Sequence, residues 1–179
     1  MKAIVYEQYG SPAVLKLQEI PKPTPQAGEV LVKIHATALN AADWHMLRAD
    51  PFLVRLEAGL TAPKRKVLGC DIAGQVEAVG EGVTEFRPGD EVYGELSACG
   101  WGGLAEYVCA GVTCLAPKPA NLTWEGAAAV PMAAMTALQA LRDKANVQSG
   151  QSVLIHGAGG GVGTFAVQLA KLFGAEVTA

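Results

Sequence analysis

The first part of the chain alternates between hydrophobic and polar residues with a period of two. Residues 29–39 place Val30, Val32 and Ile34 on one face, which predicts a strand with one buried side. Comparable short segments occupy residues 1–6, 15–20, 68–79, 90–96, 104–110 and 113–116. Turn sequences such as Pro88-Gly89-Asp90 separate them. Short strands at this spacing predict a β-rich barrel or sandwich with little helix over residues 1–122.

The pattern changes after residue 122. Thr123 is a residue type that caps helices, and Glu125 is favourable in a first helical turn. Residues 126–141 are rich in alanine and helical in character, and Pro131 either kinks this helix or divides it. We therefore place a second domain over residues 123–179, beginning with a linking helix.

A strand, a glycine-rich loop, a helix and a second strand follow. Residues 152–156 form the short apolar run expected of a buried parallel strand, and Gly174 is placed to end the helix. Hydrophobic residues recur at helical spacing and predict one apolar face, made of Val162, Phe165, Leu169, Leu172 and Phe173. Residues 176–179 begin the next strand. This order is the start of a βαβ unit whose second half lies beyond residue 179.

The loop between the strand and the helix carries the clearest chemical signal. Read as A-x-G-x-x-G, its register is Ala158, Gly160 and Gly163, with Gly161 and Val162 also at the helix N-terminus. Glycines there allow the backbone to approach a pyrophosphate, and the helix N-terminus offers free N–H groups to phosphates. The alternative is a flexible glycine-rich turn. The acidic residue that would separate NAD from NADP falls past the end of the chain.

Composition and charge exclude several other classes. A net charge of −3 gives no overall footprint for nucleic acid or anionic lipid. Residues 145–170 carry no charge, but six glycines interrupt them, so they do not predict a membrane span. The four cysteines form no CxxC pair, and the N-terminus lacks a secretory signal. We expect free thiols in a reducing, cytoplasmic compartment.

Motifs along nearly the whole chain resemble one enzyme family. They are Lys2-Ala-Ile-Val5, Gly28-Glu-Val-Leu-Val32, Pro88-Gly-Asp90, Ala105-Glu-Tyr107 and the glycine loop with Gln168 and Lys171. Together they resemble the zinc-free quinone oxidoreductase (zeta-crystallin-like) branch of the medium-chain dehydrogenase/reductase superfamily. The resemblance implies a β-rich GroES-like barrel domain, then the start of an α/β Rossmann domain, with the active site in the cleft between them. It also implies a homodimer at full length and NADPH as cofactor, with NADH an alternative.

The same resemblance argues against a metal site. Zinc-dependent members hold their catalytic zinc at positions that correspond here to Asn40, Cys70-Asp71 and residues 132–135, where the expected cysteine and histidine ligands are missing. Tetrahedral zinc needs three or four N, S or O ligands in one place. A site forced from Cys70, Asp71 and His45 is the alternative. We expect Cys70 to be a buried thiol and no metal to be bound.

Candidate catalytic residues lie in a predicted loop over residues 40–45. The resemblance gives Asn40 a zinc-ligand position, where its amide would donate to the nicotinamide, the substrate or water. His45 is either a proton donor or a surface histidine, and Asp43 holds the loop more readily than it does chemistry. Trp44 either lines the pocket or, the preferred interpretation, packs in the core. Thr136 either contacts the nicotinamide or bonds back to its own helix.

Three functions remain open at this point. The resemblance implies first an NADPH-preferring reductase that transfers hydride to a small quinone or α,β-unsaturated carbonyl. The others are a zinc-dependent NAD alcohol dehydrogenase and a nucleotide-binding, crystallin-like protein without turnover. Because the predicted dinucleotide domain is incomplete, we expect residues 1–179 alone to be inactive.

Overall fold

The computed structural model describes residues 1–179, which form two compact units, Met1–Ala129 and Val130–Ala179. The sequence analysis placed the boundary after residue 122. The contacts divide the chain later because the first helix of the predicted second domain packs on the sheet of the first unit.

Seven strands make up the sheets of the first unit. They are β1 (Lys2–Val5), β2 (Lys16–Glu19), β3 (Glu29–Ala38), β4 (Asp71–Val79), β5 (Glu91–Glu95), β6 (Tyr107–Gly111) and β7 (Leu115–Pro117). β1 and β2 pair as a two-stranded antiparallel sheet. The others form a five-stranded antiparallel sheet in the order β6-β3-β4-β5-β7.

The predicted face of β3 is buried, but Leu31 on the opposite face is buried too, so the first part of the strand is covered on both sides. Val30 and Val32 are fully buried, and Ile34 packs against the same core. β4, by contrast, begins three residues later than residue 68, where the prediction began it. Leu68 and Gly69 instead accept backbone hydrogen bonds from Leu104 and Gly103, at 2.8 Å each. They form an irregular segment that leads into the strand.

Two helices interrupt the strands of the first unit, α1 (Ala41–Arg48) and α2 (Val54–Ala58). The prediction of a loop over residues 40–45 is therefore wrong, since these residues begin a helix. The N–H of Asn40 donates to the Asp43 carboxylate at 2.8 Å, a bond that stabilises a helix N-terminus. This Asn-x-x-Asp spacing was present in the sequence as a helix-start signal.

The helical segment after residue 122 divides at Pro131, as one of the two predicted outcomes has it. α3 (Trp124–Ala128) is capped by the Thr123 hydroxyl, which accepts from the Gly126 N–H at 3.1 Å. α4 (Pro131–Leu138) then runs into a π-helical turn, Gln139–Lys144.

The second unit contains the predicted strand, loop, helix and strand. These are β8 (Ser152–Leu154), α5 (Gly161–Leu172) and β9 (Glu176–Thr178), and the two strands pair in parallel. Gly174 follows α5 with a left-handed φ of 80°, as a helix-ending glycine does.

The apolar face of α5 differs from the predicted one at two positions. Val162 is 42% exposed and Leu172 is 77% exposed. Leu169 and Phe173 pack on the core of the unit as predicted, and Ala166 and Ala170 pack there as well. Small alanines let the helix lie close to β8 and β9, so the buried face is rotated from the one that large residues predict.

No helix of the chain is both long enough and apolar enough to cross a membrane.

Two of the cysteines are joined in a disulfide, Cys99–Cys114, so the expectation of four free thiols is wrong. The fold brings them together because β5, just before Cys99, pairs with β7, just after Cys114. A search for CxxC spacing does not detect such a pair, since their sequence separation is 15. Cys70 is free and buried, as expected, and Cys109 is free and half-buried.

We expect Cys114→Ser to lower the thermal stability of the oxidised protein. A disulfide that closes a loop of this length restricts the unfolded chain and contributes about 3 kcal/mol. The measurement is thermal unfolding with and without a dithiol reductant, with Cys109→Ser as the matched control. The reductant should lower the Tm of the parent and of the control, but not that of Cys114→Ser. An equal response in all three proteins would contradict the pairing.

Candidate active site

The buried carboxylate of Asp43 ties the start of α1 to the segment that precedes β4. One oxygen accepts the Gly69 N–H at 2.9 Å. The other accepts the Asn40 N–H at 2.8 Å and the Cys70 thiol at 3.6 Å. Asp43 is 5% exposed, so these hydrogen bonds are shielded from water. Its observed contacts are with groups of the protein itself, which fits the expectation that it holds this segment in place.

Burial is the main influence on the ionisation of Asp43. Desolvation raises the pKa of its carboxyl group above the ordinary value, and the hydrogen bonds from Asn40, Gly69 and Cys70 oppose that rise. A raised pKa means that the folded state holds the proton more strongly than the unfolded state. The contribution of this group to stability is therefore greatest at low pH and is lost as the pH rises through the folded pKa.

The side-chain amide of Asn40 points into the same cluster. Its Nδ2 donates to Asp71 Oδ2 at 3.0 Å and to Cys70 Sγ at 3.5 Å. An amide nitrogen carries two hydrogens, so both donors are used within the protein. The carbonyl oxygen Oδ1 only accepts, and it faces the Asp43 N–H in the capping box of α1. This differs from the expectation that the Asn40 amide would donate to cofactor or substrate.

Three potential ligand atoms gather beside Asn40. Those of Cys70, Asp71 and Glu95 lie within 4.8 Å of one another, and Cys70 and Asp71 are fully buried. Glu95 faces Asp71 across the β4–β5 pair and accepts from the N–H and hydroxyl of Ser97 at 2.6 and 2.9 Å. Burial, followed by the nearby carboxylates, raises the pKa of the Cys70 thiol. Zinc binds the thiolate, so a metal bound here would have to displace the thiol proton.

His45 lies near the end of α1 and is not part of this cluster. Its Nδ1 is 2.5 Å from the carbonyl oxygen of Asp50. A carbonyl oxygen only accepts, so Nδ1 must carry a proton and Nε2 is the free nitrogen of the neutral ring. A zinc site made of Cys70, Asp71 and His45, the alternative stated from the sequence, is therefore not formed. The third potential ligand beside Cys70 and Asp71 is Glu95.

Trp44 lies on α1 with 42% of its surface exposed, so the preferred interpretation of a core residue is wrong. Its ring meets the edge of His45 at 4.7 Å, and the Arg48 guanidinium lies 4.9 Å from its centre. Thr136, on α4, donates from its hydroxyl to the Met132 carbonyl at 2.7 Å. That bond is the back-bonding alternative stated for this residue.

The glycine loop of the second unit leads into the N-terminal end of α5. Gly160 caps the helix in an extended conformation, and Thr164 N–H makes the first intrahelical bond, to Gly160 O at 2.9 Å. The N–H groups of Gly161, Val162 and Gly163 therefore point out of the helix end. With the positive end of the helix dipole, they favour a bound anion.

Two glycines of this loop are fixed by geometry. Gly157 has a left-handed φ of 80°. A Cβ on Gly163 would lie 2.2 Å from the Gly157 carbonyl oxygen and 2.7 Å from Ala158 Cα, so the helix start and the loop pack at backbone contact. At Gly159 and Gly161 a Cβ would meet nothing within 4 Å. Close packing at Gly163 with open space at Gly161 fits the register chosen for a dinucleotide pyrophosphate.

The first unit matches the alcohol dehydrogenase GroES-like domain model over residues 26–120, more than half of the chain. The chain belongs to this family. The expected resemblance to quinone oxidoreductases of the medium-chain dehydrogenase/reductase superfamily is confirmed, as is a strand-rich GroES-like fold.

Three relatives illustrate the likeness of this GroES-like protein to known ones. A chloroplast envelope quinone oxidoreductase homolog from Arabidopsis thaliana is 41% identical over 100% of the chain and 55% of its own length. A 2-methylene-furan-3-one reductase from Solanum lycopersicum is also 41% identical, over 100% of the chain and 46% of its own length. The quinone oxidoreductase structure from Coxiella burnetii has 39% identity and a TM-score of 0.87, over 99% of the chain and 55% of its own. The chain spans about half the length of these relatives.

The sequence analysis of this GroES-like protein missed two participants in the site. Glu95 was not singled out because it lies 24 positions after Asp71, and only the antiparallel pairing of β4 and β5 brings them together. Gly69 was missed because it contributes a backbone N–H, which no side-chain pattern reveals. The Asn-x-x-Asp helix start was the one signal that could have tied Asn40 to Asp43.

We expect Gly163→Ala to destabilise the glycine loop and to abolish tight dinucleotide binding by the full-length protein. The new Cβ would overlap backbone atoms that have no room to move, and overpacking costs about 1–3 kcal/mol. Gly161→Ala is the control for folding, because its Cβ meets open space. Thermal unfolding and NADPH calorimetry measure the two effects. If Gly163→Ala matched the parent in both, our register for the loop would be wrong.

We expect Asp43→Asn to destabilise the protein by about 2 kcal/mol, because an amide NH₂ would replace one accepting oxygen among three donors. Asp50→Asn, at an exposed position two residues after α1, is the matched control. Urea unfolding of the full-length proteins measures the difference. Equal midpoints for the two variants would show that the Asp43 bonds do not hold the site together.

Proposed function

We propose that the protein containing this chain is an NAD(P)H-dependent oxidoreductase that transfers a hydride to a quinone or an α,β-unsaturated carbonyl without zinc. The observation that carries the proposal is the glycine loop, whose helix end presents the N–H groups of residues 161–163. The site residues, the choice of NADPH over NADH and the absence of zinc are parts of the proposal.

The cofactor would be held at the loop between β8 and α5. Gly161, Val162 and Gly163 would bind the pyrophosphate with backbone N–H groups. The Gly160 N–H donates to Gly157 O at 3.0 Å, so Gly160 would serve by letting the backbone approach the phosphates, and Ala158 would take the first position of the fingerprint. Open space beside Gly159 and Gly161 leaves room for phosphate oxygens. We propose Thr136 as a further cofactor contact. Its hydroxyl would either keep donating to Met132 O while its oxygen accepts from the cofactor, or donate to the cofactor instead. A bound nicotinamide would supply the hydride.

The residues at the start of α1 would position the reactants. Asn40 Oδ1 would accept a hydrogen bond from an amide N–H of the ligand in place of the Asp43 N–H of the capping box, while its Nδ2 stays bonded to Asp71 and Cys70. Asp43 keeps Asn40 in place through the backbone and acts as a positioning residue. The imidazolium form of His45, held through Nδ1–H, would deliver its Nε2 proton to the oxygen of the reduced substrate and become the neutral ring.

Several expectations about the whole protein remain part of this proposal. We propose NADPH as the preferred cofactor and a homodimer as the assembly. We do not propose a cytoplasmic location. One relative is named for the chloroplast envelope, and two of the four cysteines that suggested a reducing compartment form a disulfide.

A zinc-dependent alcohol dehydrogenase is the second candidate, and one observation favours it. Cys70, Asp71 and Glu95 bring one sulfur and two carboxylates within 4.8 Å, which is close enough to share an ion. Against it stand the bonds that the same groups make with Asn40 and Ser97. A crystallin-like role without turnover is the remaining alternative.

We expect the purified full-length protein to oxidise NADPH with 1,4-naphthoquinone or a simple enone and to contain no stoichiometric zinc. His45→Gln should lower kcat for the enone and leave the affinity for NADPH unchanged, because it removes a proton donor and not a cofactor contact. Binding of NADPH without turnover would favour the crystallin-like alternative. One zinc per chain, removed only with loss of activity, would favour the alcohol dehydrogenase.

A further inference from the structure

The Cys99–Cys114 disulfide joins two short 3₁₀ turns of the first unit. Cys99 ends the turn Ser97–Cys99, called the Ser97 turn below. Cys114 ends the turn Val112–Cys114, called the Val112 turn. Both turns and the candidate cluster of Cys70, Asp71 and Glu95 belong to the same compact unit, so the disulfide and the cluster are parts of one packed structure.

The Ser97 turn is bonded directly to the candidate cluster. Ser97 donates its N–H and its hydroxyl to the Glu95 carboxylate at 2.6 and 2.9 Å. The Cys99 N–H donates to Leu96 O at 2.9 Å, and the Leu96 N–H donates to Cys70 O at 2.7 Å. Two routes of hydrogen bonds therefore connect this turn to the cluster, one through a side chain and one through the backbone.

The Val112 turn is held by paired strands on both sides. Gly111, before the turn, pairs with Glu29 of β3. Leu115, after the turn, pairs with Gly94 of β5. The packing is at backbone contact, since a Cβ on Gly94 would lie 2.0 Å from the Cys114 carbonyl oxygen. Cys114 therefore has little freedom to move.

The Ser97 turn has a paired strand on one side only. β5 precedes it, but Gly100, Trp101 and Gly102 follow it with left-handed φ values of 101°, 68° and 111°. Glycine adopts this conformation readily, whereas tryptophan does so only when its surroundings impose it. Of the two turns that the disulfide joins, the Ser97 turn is therefore the one that can shift.

Opening the disulfide requires its two sulfur atoms to separate. Non-bonded heavy atoms rest at roughly 3.5–4.0 Å from one another, so two thiols cannot keep the spacing of a covalent pair. Cys99 Sγ already lies against the Val112 turn, because a Cβ on Gly111 would be 3.3 Å from it. Since Cys114 is held, Cys99 must move away, and the Ser97 turn moves with it. Ser97 then loses its present alignment with Glu95.

We propose that the Cys99–Cys114 disulfide is a thiol–disulfide switch that sets the position of Glu95 in the candidate site. The co-reactant is a dithiol, whose thiolate attacks one protein sulfur and forms a mixed disulfide. Its second thiol then displaces that sulfur. The dithiol leaves as a disulfide, and Cys99 and Cys114 have gained two electrons and two protons. The effect on turnover rests on the proposed function, whereas the redox reaction and the movement of the turn do not.

A redox titration of the full-length protein tests the first step. The folded protein is equilibrated with mixtures of reduced and oxidised dithiothreitol, quenched in acid, denatured and alkylated. Mass spectrometry then measures the labelling of each cysteine. We expect Cys99 and Cys114 to become labelled together in one two-electron transition and Cys109 to be labelled throughout. A pair that resists excess dithiothreitol in the folded protein would overturn the proposal.

Amide hydrogen exchange tests the movement without any need for activity. The N–H groups of Ser97, Cys99 and Trp101 are bonded to Glu95 or to Leu96 O in the oxidised protein. Reduction should accelerate their exchange at least about tenfold and change that of β7 little, because local opening sets the exchange rate. Cys114→Ser should exchange fast without reductant, and Cys109→Ser should behave as the parent does. Unchanged exchange in the Ser97 turn, or acceleration in the Val112 turn instead, would overturn the proposal.

Steady-state kinetics test the connection to the site. The reductant is removed without air before the assay, because free thiols add to quinones and enones. Reduction should lower kcat at least about threefold and leave the affinity for NADPH unchanged, since the glycine loop belongs to the second unit. Cys114→Ser should have the low kcat in either condition, and Cys109→Ser should respond as the parent does.

Ser97 variants separate a positioning role from a general loss of stability. Ser97→Ala removes the hydroxyl bond to Glu95 and should lower kcat of the oxidised protein, whereas Ser97→Thr keeps a hydroxyl and should restore it. Equal kcat values for the oxidised and reduced parent would overturn the control of the site. No turnover in either state would count against the proposed function instead, and the titration and the hydrogen exchange would still decide whether the disulfide moves the turn.

Discussion

The buried carboxylate of Asp43 is the interaction on which the candidate site depends. It accepts from Asn40 N–H at the start of α1 and from Gly69 N–H in the segment before β4. Burying a carboxylate is unfavourable unless donors replace its water, and here backbone N–H groups do so from two separate parts of the chain. Together with the bonds from Asn40 Nδ2 to Asp71 and Cys70, they tie the start of α1 to the segment before β4 through both backbone and side chain.

That constraint also decides which chemistry the cluster favours. Two donors in this cluster are the Asn40 amide, which bonds Asp71, and the Cys70 thiol, which donates to Asp43. These bonds engage buried groups without a cation. A zinc ion would need the thiol deprotonated in the company of Asp43, Asp71 and Glu95, whose negative charges raise its pKa. A metal would therefore have to rearrange the network rather than enter it.

The sequence predicted the parts of the fold that are set by local pattern. β3 buries Val30 and Val32 on its predicted face, and the order of β8, glycine loop, α5 and β9 is as expected. The sequence-based prediction was wrong where contacts between distant parts of the chain determine the structure. The Cys99–Cys114 disulfide forms only because β5 pairs with β7. The buried face of α5 is set by close packing of Ala166 and Ala170 on the core of the unit. Asn40 was selected from a family position, but the direction of its amide depends on Asp71 and Cys70, which the sequence cannot orient.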